Sequence, residues 1–158
     1  MQKKITTFLM FNDRAEDAVR LYTSAFPNSK VLSESREEKE GRSRKGKFVS
    51  ATFTLAGQEF MAMNGGPVFH FDEGMSLFVT CRDQKEVDRL WEKLSKGGEK
   101  GRCGWLKDRF GVSWQIIPEE FAEMMSDPES GDVGRMIAAM MTMGKLDVKA
   151  LRDAYRGA

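Results

Sequence analysis

A few side chains in this sequence have types that could carry chemistry. His70 is the sole histidine, and Asp72 and Glu73 follow it closely. An imidazole titrates near pH about 6.5, so His70 could move a proton if a ligand sat beside it. A His-x-Asp-Glu run on a linker is poor chelate geometry, so a solvent-facing or rim histidine is expected there rather than a metal ligand. Cys81 and Cys103 are the two thiols. A nucleophilic cysteine needs a positive neighbour or a base to lower its pKa, and Arg102 beside Cys103 meets that need only in sequence. Buried, inert thiols are the expectation. Trp105 is a candidate for stacking on a ligand at a rim, with a packed hairpin position as the alternative. Asp108, in the run Asp108-Arg-Phe-Gly111, reads as a turn-forming residue before it reads as a catalyst.

The elements that must position these residues come in two copies. Moved forward by 69 positions, Thr7 falls on Ser76, Leu9 on Phe78, Ala18 on Val87, Leu21 on Leu90 and Tyr22 on Trp91. A strand followed by a helix thus occurs twice, and an internal repeat of this kind decides the fold before any local detail does. In the first copy the strand Ile5–Phe11 precedes a helix over Asp13–Phe26. Asn12-Asp13 offers a cap there, and Glu16 stands three residues on, as in a capping box. In the second copy Ser76–Cys81 precedes a helix over Asp83–Ser95.

The rest of the chain completes each copy with strands. Lys30–Glu37 reads as an edge strand, Phe48–Leu55 and Gln58–Met63 as a hairpin turned at Ala56-Gly57. The charged, glycine-punctuated stretch Glu38–Lys47 reads as a solvated loop. Residues 68–74 form a linker. A second hairpin is expected from Arg102–Lys107 and Gly111–Ile117, ended by Pro118. Helices are expected over Phe121–Met125, Val133–Met143 and Val148–Tyr155, with Asp147 capping the last.

Composition sets the class. The chain has 158 residues, 41% hydrophobic and 31% charged, which supports a globular core in one domain or two fused half-domains. A net charge of +1 gives no field for nucleic acid or an anionic membrane. No run approaches the roughly 20 apolar residues of a membrane span. The start MQKKITTF lacks a signal-peptide core, and two cysteines are too few for a disulfide framework, so a cytoplasmic setting is expected. Eleven methionines serve as flexible core filler or line an adaptable apolar pocket.

The order strand, helix, three strands, repeated, resembles the vicinal oxygen chelate superfamily of glyoxalase I, bleomycin-resistance proteins and extradiol dioxygenases. Ala18-Val-Arg-Leu-Tyr22 and Asp108-Arg-Phe-Gly111-Val-Ser-Trp-Gln115 carry the resemblance. ITTFLMF, GQEFMAMNGG, CGWLKD and GVSWQIIP are similar to the PhnB-like branch, often labelled 3-demethylubiquinone-9 3-methyltransferase-like. The resemblance spans roughly residues 3 to 118. It implies an α+β fold of two βαβββ modules, residues 1–67 and 75–118, related by an internal pseudo-two-fold and forming a concave sheet. A helical extension, 119–158, follows.

Active members of that superfamily hold a divalent metal with four side chains, one from each of four strands. Carried onto this sequence, the four positions fall at Thr7, Met61, Ser76 and Gln115. A thioether, two hydroxyls and an amide are poor donors for a hard cation, so the resemblance implies a chain without metal or other cofactor. Strand alternation then predicts one face made of Thr7, Leu9, Met61, Met63, Ser76, Phe78, Gln115 and Ile117. Phe8, Met10, Phe60, Leu77, Val79, Trp114 and Ile116 are predicted to pack on the helices. The expected ligand pocket is Thr7, Leu9, Met61, Met63, Ser76, Phe78, Trp105 and Gln115, with His70 and Cys103 at its rim.

These residues favour a metal-free homodimer that binds a small, largely apolar or aromatic molecule. An enzyme using His70, Cys103 or Asp108, and a ligand-free dimeric interaction module, are the alternatives. Neither nucleic acid nor membrane is an expected partner.

Overall fold

Alternating burial is what turns this sequence into sheets. In β1 (Thr7–Phe11), Leu9 and Phe11 are buried, while Phe8 between them is exposed. In β3 (Phe48–Leu55) Ala51, Phe53 and Leu55 are buried, with half-buried Ser50, Thr52 and Thr54 interleaved. Helix α1 (Ala15–Ala25) covers the buried side through Ala15, Ala18, Val19, Leu21 and Tyr22, spaced along one stripe. The computed structural model of the chain describes residues 4–38 and 46–158. The charged loop expected over Glu38–Lys47 lies for the most part outside the described residues, as do Met1, Gln2 and Lys3.

The chain divides into two compact units, Met1–His70 and Phe71–Ala158. Each contains one mixed four-stranded sheet, so the fold is α+β as expected. In the first unit β2 (Lys30–Arg36), β3 and β4 (Gln58–Asn64) are antiparallel neighbours, and β1 lies parallel to β4, giving the order β1-β4-β3-β2. The second unit repeats this with β5 (Leu77–Cys81), β6 (Glu99–Lys100), β7 (Trp105–Lys107) and β8 (Ser113–Pro118), in the order β5-β8-β7-β6. Helix α2 (Gln84–Ser95) joins β5 to β6 and buries Val87, Leu90, Trp91 and Leu94.

The helical tail belongs to the second unit. Helices α3 (Glu119–Ser126), α4 (Val133–Met141) and α5 (Val148–Arg156) gather Met124, Met136, Leu146, Leu151 and Tyr155 into a core with Ile117 of β8. Asp147 caps α5 as expected, accepting from the Ala150 N–H at 2.8 Å. The tail is pinned to α2 from a distance: Gln84 donates to the Leu146 carbonyl and accepts from the Val148 N–H. Among the described residues no helix is long and apolar enough to cross a membrane.

The two strand–helix connections are built differently. Cys81 and Gln84 are separated by Arg82-Asp83 alone, and Asp83 caps α2 by accepting from the Glu86 N–H at 2.8 Å. Glu86 reaches back to the Arg82 N–H at 2.8 Å. Between Phe11 and Ala15 lie three residues, Asn12-Asp13-Arg14. The capping box expected from Asp13 and Glu16 does not form. Arg14 occupies the cap position with no side-chain cap bond. Asn64, at the end of β4, instead accepts from the Ala15 N–H at 2.8 Å. Glu16 turns to Arg36 and Arg20, and the Arg36 guanidinium holds its carboxyl below the usual range.

A helix start capped from another strand ties local and tertiary stability together. Asn64→Ala is expected to destabilise the chain by about 1 kcal/mol, as loss of a local cap does. Urea unfolding of this variant beside Asp83→Ala checks it: comparable losses are expected, and a neutral Asn64→Ala would mean that α1 needs no distant cap.

Candidate functional site

The second sheet is set by one buried carboxylate. Asp108 is 3% exposed and uses both oxygens. Oδ1 accepts from the Phe110 and Val112 N–H groups at 2.9 and 3.1 Å, and Oδ2 accepts from the Trp114 indole N–H at 2.9 Å. Gly111 closes the turn, donating to the Asp108 carbonyl at 3.0 Å from a left-handed φ of 91° that suits glycine. The hairpin therefore has one register, with Trp105 opposite Gln115, Leu106 opposite Trp114 and Lys107 opposite Ser113. A carboxylate with these bonds is a structural clamp, as its place in a turn suggested.

That register lays out a face. Trp114 and Ile116 are buried, so Ser113, Gln115 and Ile117 turn the other way. Across the sheet, Trp105 of β7, Gln115 of β8 and Phe78 of β5 are register partners and form a lateral row. Phe78 is 60% exposed, and the Gln115 amide donates to the Ser76 hydroxyl at 2.9 Å. Lys107 sits on the same face, its ammonium 2.6 Å from the Glu73 carboxylate. A hollow of about 130 Å³ opens beside the row, bounded by Trp105, Lys107, Ser113 and Glu73 among others. The far end of the face is closed where Ile117 enters the tail's core.

In the first sheet the faces differ from the sequence reading. Phe8 pairs with Met61 and Met10 with Met63, and these four share the outer face. Thr7 pairs with Phe60 and Leu9 with Ala62, on the helix side, where Leu9 is 5% exposed. Thr7 and Leu9 therefore do not stand with Met61 and Met63, and Phe8 and Met10 do not pack on α1. The cause is the extra residue between β1 and α1. Sliding by 69 positions aligns the helices, but the strands align at 70, which sets Phe8 on Phe78 as Met61 matches Gln115. A shift of one residue exchanges the two faces of a strand. The second-sheet assignments, Ser76, Phe78, Gln115 and Ile117 on one side and Leu77, Val79, Trp114 and Ile116 on the other, agree with the observed register.

A family model described as 3-demethylubiquinone-9 3-methyltransferase matches residues 3–117. A solved Bacillus cereus structure, titled a putative 3-demethylubiquinone-9 3-methyltransferase, PhnB protein, is 41% identical, with TM-score 0.67, and covers 73% of this chain and 99% of its own. The chain belongs to the PhnB-like 3-demethylubiquinone-9 3-methyltransferase family. Protein PA1353 from Pseudomonas aeruginosa is similar at 22% identity and TM-score 0.58, over 75% of this chain and 98% of that one. The fosfomycin resistance protein FosX from Mesorhizobium loti shares the fold at 15% identity and TM-score 0.56, over 80% of this chain and 98% of that one. No curated protein matches the chain.

Neither strand–helix turn, Asn12-Asp13-Arg14 or Arg82-Asp83, contains the glycines that let a backbone approach a nucleotide cofactor. The divalent metal implied by the wider superfamily does not fit either. The outer faces offer Phe8 and Met61 in one sheet, and Phe78 with a Gln115 amide already tied to Ser76 in the other. Carbon and thioether groups do not hold a hard cation. Glu59 does bring a carboxylate to the Met61 face, one pleat away beside the β3–β4 turn, with Thr54 opposite. Among the described residues no three His, Cys, Asp or Glu side chains are placed to share a metal ion.

The remaining candidates separate. Cys81 is buried, and that burial pushes its thiol up to about 12, which suits an inert core residue. Cys103 is half-buried and, like Cys81, a free thiol, in a loop where it and Gly104 both have positive φ; that loop delays β7 to Trp105 instead of Arg102. His70 is exposed at the end of the first unit. The two-residue strand β6 was not legible in its charged sequence, Glu99-Lys100.

Asp108→Ala strips three donors of their acceptor and is expected to cost roughly 3 kcal/mol. Chemical denaturation, with Trp fluorescence as the probe of the freed Trp114 indole, checks it. A loss below about 1 kcal/mol, no more than an ordinary hydrogen bond, would contradict the clamp.

Proposed function

We propose that this PhnB-like protein binds a small, neutral, planar aromatic molecule on the outer face of its second sheet, without a metal. The row Trp105–Gln115–Phe78 carries the reading. Neighbouring strands about 4.8 Å apart root the two aromatic side chains roughly 10 Å from each other, room for one ring system over the Gln115 amide. The rings supply stacking surface, and the amide and Ser76 hydroxyl supply hydrogen bonds that orient the ligand. An exposed ring as large as Phe78 on a sheet is costly to leave in water, and a ligand that covers it recovers that cost. The acid and base beside this row, Glu73 and Lys107, are tied to each other, which holds both in their charged forms and favours binding over proton-transfer catalysis.

A thermal-shift screen of neutral aromatic and quinone-like compounds tests it. At least one class is expected to raise Tm, and Phe78→Ala, at an exposed position, is expected to keep the fold and weaken that ligand about tenfold, or about 1.4 kcal/mol. No stabilisation across a broad panel, or equal affinity in Phe78→Ala, would reject this face. The same reading includes a homodimer, supported by the apolar Phe8, which is 46% exposed, and Met61, 37% exposed, on the first sheet. Sedimentation velocity at micromolar concentration is expected to show the dimer, and a clean monomer contradicts it.

A further inference from the structure

Beside the row Trp105–Gln115–Phe78 the same face carries a polar row. Lys107 stands two residues beyond Trp105 on β7, with Ser113 of β8 opposite on one side and Glu99 of β6 opposite on the other. Lys100, the other cation bordering the hollow, is turned toward α2, where its ammonium lies 2.9 Å from Glu92. Lys107 is the better anchored half of its ion pair. Its side chain is 29% exposed, on a strand whose register Asp108 sets, whereas Glu73 is 64% exposed in the stretch before β5. Glu73 takes one ammonium hydrogen at 2.6 Å. An ammonium has three, so donors remain for a ligand. Glu73 beside it and Glu99 across from it hold the ammonium above the ordinary lysine pKa, so Lys107 donates and does not accept.

The ammonium is within range of the aromatic row. Diagonal neighbours on adjacent strands are about 7–8 Å apart, a gap that a lysine stem spans. A ring system over Gln115 therefore brings one edge to Lys107. A bare hydrocarbon edge there strips water from the ammonium and returns nothing. A carbonyl oxygen at that edge accepts a charge-assisted hydrogen bond. A carboxylate at that edge also meets Glu73 and Glu99, two like charges around one ammonium, and is disfavoured.

We propose that Lys107 is a specificity-determining residue of this face, selecting planar aromatic ligands that carry a neutral carbonyl oxygen on the edge beside β7. The inference rests on the binding face proposed above and narrows its ligand class. Gln115 and Ser76 orient the ligand from below, and Lys107 reads its edge.

Equilibrium dialysis of the purified full chain against three probes of one ring system tests this: 2-acetylnaphthalene, 2-ethylnaphthalene and 2-naphthoate. The wild type is expected to bind the ketone about tenfold more tightly than the hydrocarbon or the carboxylate. Lys107→Met keeps the stem, removes the ammonium and is expected to bind ketone and hydrocarbon alike. Lys107→Arg is expected to restore the preference. Phe78→Ala is expected to weaken every probe that binds. Circular dichroism and Tm of the variants are expected to match the wild type, and the ketone-to-hydrocarbon ratio of the wild type needs no variant. Equal affinity for ketone and hydrocarbon in the wild type, tighter binding of the carboxylate, or a preference that survives Lys107→Met overturns the role of Lys107 and leaves the face standing. Binding of none of the three, or binding that Phe78→Ala leaves unchanged, rejects the face and this inference with it.

Discussion

In both sheets of this chain the pleat of the backbone allots side chains to the helix side or the outer side, and nothing local can change that allotment without changing the register. Burial chooses the helix side: Phe53, Phe60 and Ala62 in the first unit, Trp114 and Ile116 in the second, all at 5% exposure or less. The outer side inherits the residues in between. Whatever chemistry the outer faces carry is therefore decided by strand register and by the lengths of the connections that set it.

Two devices supply that control. In the second unit a single carboxylate, Asp108, gathers a turn and an indole and so places Gln115 between Phe78 and Trp105. In the first unit the hairpin of β3 and β4 is held by the short turn at Ala56-Gly57, both with positive φ, and Asn64 then caps α1 from the end of β4. The first arrangement leaves Met61 where the second leaves Gln115. One scaffold, built twice, thus presents an apolar thioether in one sheet and a hydrogen-bonding amide in the other.

This division bears on what relatives of the same fold do. FosX shares the architecture, but at 15% identity that similarity speaks of the sheet and its helices alone. Function follows from the groups that stand on the faces. Here those groups are aromatic rings, thioethers, hydroxyls and one amide, with the Glu59 carboxylate and the paired Lys107 ammonium beside them.

The sequence by itself determined the doubled strand–helix unit, the family, the hairpin around Asp108 and the second-sheet face with Ser76, Phe78 and Gln115. These rest on periodicities and turn residues that act over a few positions, and on a repeat visible in apolar spacing. The tertiary structure alone decided the first-sheet face, where one added residue before α1 left the helix pattern intact but exchanged Thr7 and Leu9 for Phe8 and Met10. It alone revealed that Asn64 does the work expected of Asp13, and that Glu73 meets Lys107 across 34 positions. Helical spacing does not record the length of the loop that precedes it, and contacts between distant segments leave no local periodicity to read, so these features exist only once the chain is folded.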